Sequence, residues 1–317
     1  MPDATADAPP GVAPPPAAPP GVAPPPAAPL AVEPAVLEGL GFPEALRWHD
    51  GALWFSDMFR SRVMRWQPDE PDRPAESVLD VEGGGPTMPG GLGWLPDGSL
   101  LVVDCIERRV LRVATGSGAV SVHADLVGVM THSANDMHVD PDGTAWVGGH
   151  GFDPEHDEPV PSPLVRVAAD GATSVTASGF VFPNGCERDA SGALLVAETF
   201  ADRVTSFSRE NGLTLRAQLP SGSGPDGLSI APGGTVYVAL AFAGELVALP
   251  VATDSDASPR LIYRPEPLGI GPGAGPLGVY DCAVHPDGTR IAVAMASADE
   301  ALAERVDTGR IVLLTLR

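Results

Sequence analysis

Four residues of this chain have side chains suited to holding a hard metal ion: Glu44, Asn135, Asn184 and Asp226. Two carboxylates and two carboxamides offer only oxygen. Oxygen ligands suit Ca²⁺, Mg²⁺ or Mn²⁺, whereas structural Zn²⁺ sites favour cysteine and histidine. Four protein ligands would leave positions for water and a substrate, as catalytic chemistry requires. Taken singly, Pro-Asn184-Gly185 and Pro-Asp226-Gly227 would pass as ordinary turns. Their common phase within a repeat argues for a site.

That phase is marked by a turn written six times: Asp50-Gly51, Asp97-Gly98, Asp142-Gly143, Ser191-Gly192, Gly233-Gly234 and Asp287-Gly288. Successive turns lie 47, 45, 49, 42 and 54 residues apart. Asn135, Asn184 and Asp226 each stand eight residues before the glycine of their turn. Glu44 stands seven before, because Trp48-His49-Asp50-Gly51 is about one residue shorter than Trp94-Leu95-Pro96-Asp97-Gly98. An apolar strand follows each turn, a second follows a short polar link, and a third precedes the turn, with room for one more per unit. Short strands bounded by Gly, Pro and Asp, with no sustained helical period, predict an all-β fold. Four strands per unit and a period near 45 residues predict a six-bladed β-propeller.

The last strand, from Ile311, is expected as the third of the final blade, with residues 35–40 as its outer strand. This closure removes an open sheet edge. Inner strands start at the mouth of the central channel. Glu44, Gly90, Asn135, Asn184, Asp226 and Tyr280 are therefore expected to ring it, with Gly90 leaving room for a substrate. The polar, Pro-rich insertion from Gly148 to Pro163 is longer than its counterparts and is expected to cover the site.

Composition sets the limits. Residues 1–34 carry PPGVAPPPAAP twice and hold too little apolar surface to fold, so they are expected to form a disordered tail. Residues 35–317 are expected to form a single propeller domain. The tail has no basic start and no apolar core, unlike a signal peptide. A net charge of −22 argues against nucleic-acid binding, and no apolar run approaches a membrane span. Cys105, Cys186 and Cys282 form no paired framework, which fits a reducing, cytoplasmic location. A monomer or weak homo-oligomer is expected.

From Leu37 to the C-terminus the chain resembles the SMP-30/gluconolactonase/LRE family. The matching stretches are FPEALRW around Glu44, SANDMHVDPDG around Asn135, FPNGCERDASG around Asn184 and PDGLSIAPGG around Asp226. VAETFADRVTSF and GFDPEHDEPVPSPLVRV are similar to one bacterial branch. The resemblance implies a six-bladed propeller with one divalent cation in its channel, Ca²⁺ first, with Mg²⁺, Mn²⁺ or Zn²⁺ as alternatives. It implies Glu44, Asn184 and Asp226 as core ligands. Asn135 would bind substrate or complete the shell, and Asp226 would be the catalytic base. The implied reaction is lactone hydrolysis. Vertebrate-type sugar lactonases carry an arginine where Ser133 stands here, so a cation that could grip sugar hydroxyls is missing. Ser133 and His150, the latter placed at the channel mouth, are further substrate-binding candidates. His132 and His138 are expected to be structural, Cys186 and Cys282 buried thiols, and Asp136 an orienting residue or a turn cap. No G-x-S-x-G nucleophile elbow occurs. Two other classes remain open: a biosynthetic enzyme of different chemistry on the same metal site, or a ligand-binding propeller without catalysis.

Overall fold

The structure, a computed structural model, describes residues 30–70, 73–154, 156–249, 258–269 and 273–316. Most of the Pro/Ala-rich stretch, residues 1–29, lies outside the described residues. Six four-stranded antiparallel sheets form the six blades of a propeller. Five are consecutive in sequence. The sixth combines Leu277–Val284, Arg290–Ser297 and Gly309–Thr315 with the N-terminal strand Val32–Leu40. Val36 pairs with Val312 and Leu37 with Ile311, so the expected closure is present. Its outer strand starts at Val32, inside the stretch assigned to the tail.

Hydrophobic burial holds the ring together at each seam between blades. Leu79, Leu92 and Val102 pack between blades 1 and 2, and Val103, Met137 and Val165 between blades 2 and 3. Trp146, Leu164 and Val196 fill the next seam, followed by Leu195, Leu228 and Val238. Val279, Val293 and Leu246 join blades 5 and 6, while Leu53, Phe55 and Leu313 join blade 6 back to blade 1. The second strands are buried on both faces, which is why Leu100–Asp104 reads LLVVD without polar alternation. Outer strands such as Glu76–Asp80 are largely exposed.

The repeated turns follow from local chemistry. Gly98 takes a φ of 80°, and Asp97 Oδ1 accepts from the Ser99 amide at 2.9 Å. In blade 1 both Asp50 and Gly51 have positive φ, and His49 pairs directly with Ala52. That is a two-residue primed turn, which accounts for the shorter spacing after Glu44.

Three blades end their second strand on a buried acid that serves two partners. Asp57 binds Arg62 at 2.7 and 2.9 Å, Asp104 binds Arg109 at 2.9 and 3.1 Å, and Glu198 binds Arg203 at 2.7 and 2.8 Å. Each acid also fixes chain leading into its blade's inner strand. Asp57 accepts from the Gly41 and Phe42 amides, Glu198 from the Val181 amide, and Asp104 from the Thr87 hydroxyl. The inner strands therefore start from anchored positions. Asp57→Ala is expected to destabilise the fold by about 2–4 kcal/mol, since two buried amides lose their acceptor. Urea unfolding measures this, and a loss below about 0.5 kcal/mol would contradict the anchoring role.

Candidate active site

The inner strands are Pro43–His49, Pro89–Trp94, Ala134–Val139, Pro183–Arg188, Pro225–Ile230 and Leu277–Val284. Each carries a register shift near its start. Pairing runs from Pro183↔Glu198 to Cys186↔Val196, so Asn184 and Gly185 together oppose Ala197. Asp226 and Gly227 likewise oppose Ala239, and Asn135 and Asp136 oppose Gly148. These are β-bulges, which re-aim side chains that a regular strand would alternate. In blade 1 the bulge starts one residue later, at Ala45, whose φ is 52°.

The bulges bring Glu44, Asn135, Asn184 and Asp226 to one cavity of about 350 Å³, which Ser133 and His150 also line. All six residues singled out in the sequence thus face a common space. Asn135 Nδ2 donates to Asn184 Oδ1 at 3.0 Å, and Asn184 Nδ2 donates to Thr199 Oγ1 at 3.2 Å. With its amide nitrogen held by Thr199, Asn184 offers oxygen on the side where Asn135 lies. Asp226 is 6% exposed, yet among the described residues its carboxylate accepts no hydrogen bond. Burial, then the negative charge of Asp226, Asp281 and Asp136, pushes the Glu44 carboxyl well above the usual range. Burial, then Asp281, Asp136 and Glu300, does the same to Asp226.

A second polar layer lies next to the ring. Arg47 Nη2 donates to Asp136 at 3.0 Å and to the Met137 carbonyl at 2.9 Å, and its Nη1 lies 3.7 Å from Asp281. Asp281 also accepts from the amides of Leu46 and Cys282, tying blade 1 to blade 6. Burial pushes its carboxyl up to about 7, although Arg47 opposes the rise. Four carboxyls, Glu44, Asp136, Asp226 and Asp281, thus crowd together, and the one guanidinium, Arg47, pairs with Asp136 and Asp281 alone among them. Excess negative charge in an oxygen-lined channel fits a hard divalent cation. Among the described residues no three His, Cys, Asp or Glu side chains form a metal-holding group. The carboxamides of Asn135 and Asn184 add the further oxygens at this ring.

Other residues fall elsewhere or serve differently. Gly90 does not make room for a substrate: a Cβ there would lie 2.4 Å from the Asn135 carbonyl oxygen and 2.6 Å from the Cys105 sulfur. Close packing of two blades explains that glycine. Tyr280 turns its hydroxyl to the Ser297 carbonyl at 3.0 Å. His138 lines a different cavity and lies 3.2 Å from Asp140. Cys186 and Cys282 are buried, and burial pushes both thiols up, away from nucleophile chemistry. His150 stacks on Phe182 with ring centroids 3.7 Å apart, and its Nδ1 lies 3.0 Å from the Ser133 hydroxyl. Burial, then the charge of His132, lowers its pKa to about 4, so the ring is neutral at pH 7. The insertion after Gly149 contributes His150 and Pro154 to the cavity.

The comparisons bear on family and fold. The SMP-30/Gluconolactonase/LRE-like region matches residues 42–253, which hold all four ring residues. The chain belongs to this family. Three solved structures share the fold. A gluconolactonase from Xanthomonas campestris is 19% identical, with a TM-score of 0.64 over 89% of each chain. A calcium-binding regucalcin from Agrobacterium tumefaciens is 18% identical, with a TM-score of 0.61 over 87% of this chain and 91% of its own. A luciferin-regenerating enzyme is 17% identical, with a TM-score of 0.65 over 88% and 93%. No curated protein matches the chain in sequence. Among the described residues no helix is long and apolar enough to cross a membrane.

The raised carboxyls make a stability prediction. A group whose pKa is higher folded than unfolded favours folding fully at acid pH, and the advantage is lost as pH rises through the folded value. In chelator the protein is expected to lose stability as pH climbs from about 4 toward neutrality. Glu44→Gln removes one of the opposed charges and should exceed wild type at pH 8 by about 1 kcal/mol or more. Added Ca²⁺ should stabilise wild type and not the variant. Urea unfolding at pH 5 and pH 8, with chelator and with Ca²⁺, measures all three; identical curves for the two proteins would remove the charge argument.

Proposed function

We propose that the protein is a divalent-cation-dependent lactonase whose site is the ring of Glu44, Asn135, Asn184 and Asp226. The convergence of these four oxygen-bearing side chains on one cavity, in a member of this family, carries the reading. Glu44, Asn184 and Asp226 would hold the cation. Ca²⁺ suits an all-oxygen donor set best, with Mg²⁺, Mn²⁺ or Zn²⁺ as alternatives. When bound, the cation would polarise a lactone carbonyl and stabilise the negative charge that develops on its oxygen.

The chain's own residues supply the rest. Asn135, held against Asn184, positions the lactone beside the ring. Asp226 orients a water toward the carbonyl carbon and accepts its proton as the new C–O bond forms. The ring C–O bond then breaks, and the proton passes to the leaving alkoxide, giving one hydroxy acid per lactone and water. Burial keeps Asp226 a better proton acceptor than an exposed aspartate, and positive charge at the ring pulls the other way. Neutral His150, paired with Ser133, contributes contact surface. Three unpaired cysteines support a cytoplasmic location.

The test is a lactone panel assayed after chelation and after cation is restored. Hydrolysis should vanish with chelator and return with Ca²⁺ or a substitute. Glu44→Ala should lower kcat/KM by about 100-fold or more. Asp226→Asn should lower kcat by about 10²–10⁴-fold, with a smaller change in cation affinity, if Asp226 is the base. Equal losses in both would make it a ligand only. Hydrolysis indifferent to chelator and to Glu44→Ala would reject the proposal.

A further inference from the structure

We infer that the site takes neutral lactones with an apolar, aryl or alkyl, substituent, in preference to polyhydroxylated or phosphorylated sugar lactones. The inference rests on the lactonase reading and assigns its substrate class. It comes from a second set of equal-phase positions. The second strands of blades 1, 2, 4 and 5 are Ala52–Asp57, Leu100–Asp104, Leu194–Glu198 and Val236–Leu240. Two residues beyond each end stand Phe59, Ile106, Phe200 and Phe242. All four line the cavity above the oxygen ring. The propeller geometry that converges the donors therefore also converges an apolar collar.

The collar is built of packed aromatic contacts. Phe200 meets Phe182 and Phe242 with centroids 5.8 Å away in each case, and Phe152 at 5.3 Å. On the opposite wall Phe42 packs on Phe59 at 4.6 Å and on Tyr280 at 4.2 Å. The collar is not fully covered by the protein itself: Ile106 is 56% exposed and Phe242 54%. Apolar substituents laid on these surfaces would leave water, which favours their binding.

The three hydroxyl groups of the cavity that could donate to a substrate are already engaged within the protein. Ser133 is engaged with His150, Thr199 with Asn184, and the Tyr280 hydroxyl with the Ser297 carbonyl. No Lys or Arg lines the cavity among the described residues, whereas Glu300 and Glu304 do. A phosphate or carboxylate substituent reaching Glu300 and Glu304 would meet like charge there.

The test compares kcat/KM for γ-phenyl-γ-butyrolactone and δ-nonalactone with glucono-δ-lactone and its 6-phosphate, using full-length protein with Ca²⁺. The apolar pair should be favoured by about tenfold or more. Phe242→Ser should raise KM for the phenyl lactone about tenfold more than KM for unsubstituted γ-butyrolactone. Preference for glucono-δ-lactone, or equal KM changes, would overturn the inference while leaving the lactonase reading intact. Failure to turn over any lactone would reject the lactonase reading instead. Calorimetry with the phenyl-substituted γ-lactam would then decide the pocket: binding weakened by Phe242→Ser supports an apolar site, and no binding overturns it.

Discussion

The crowding of inner strands around the axis is the constraint on which the rest of the structure depends. At this radius backbone replaces side chain. A Cβ on Gly227 would lie 1.8 Å from Asp281 Oδ1, and one on Gly185 would lie 2.6 Å from the Asp226 carbonyl oxygen. Such contacts are possible only without a Cβ, so glycine follows Asn184 and Asp226 in the bulge. Crowding also makes short polar side chains sufficient. Asn135 and Asn184, from neighbouring blades, meet at 3.0 Å without long reach. A wider ring would need larger side chains and would lose this fixed geometry.

Crowding has an electrostatic cost. Glu44, Asp136, Asp226 and Asp281 are drawn into one low-dielectric channel with Arg47 as counter-charge. Arg47 settles against Asp136 and Asp281, on the far side of the bulges, so Glu44 and Asp226 are left with burial and repulsion. The seams between blades, filled by apolar side chains, hold these charges together. The site is thus a locally unfavourable arrangement imposed by a favourable scaffold, as expected where binding energy is stored for a ligand.

Much of this was legible because a cyclic repeat turns sequence phase into spatial convergence. Counting back from each turn found Glu44, Asn135, Asn184 and Asp226, and the strand pattern gave the blade count and the closing strand. The misreading of Gly90 shows the limit: phase places a residue on the ring but does not say whether its missing side chain serves a substrate or a neighbouring backbone. Arg47 and Asp281 were missed for a related reason. Their partnership spans 234 positions (281 minus 47) and depends on how far each bulge rotates its strand. Phe59, Ile106, Phe200 and Phe242 could have been found by the method that found the donors. Their tetrapeptides, DMFR, DCIE, ETFA and LAFA, stand at one phase, but they read as links between strands.

Placement of the two layers separates their tasks. The oxygen ring sits on bulges in the innermost strands, where any change strikes backbone. The apolar collar sits on short connections, where a side chain can change with less disturbance. The separation is incomplete at one point. Thr199, which holds the Asn184 amide, and Phe200, which forms the collar, are consecutive residues of a single 3₁₀ turn, Thr199–Ala201. A substitution that shifts this turn to suit a new substrate would also move the hydroxyl that fixes the ring oxygen. Phe242 has no such neighbour: Ala241 precedes it, with no side-chain bond to the ring. Substitution is therefore less constrained at Phe242 than at Phe200, because among the described residues a side-chain hydrogen bond to the ring adjoins the collar at blade 4 and none adjoins it at blade 5.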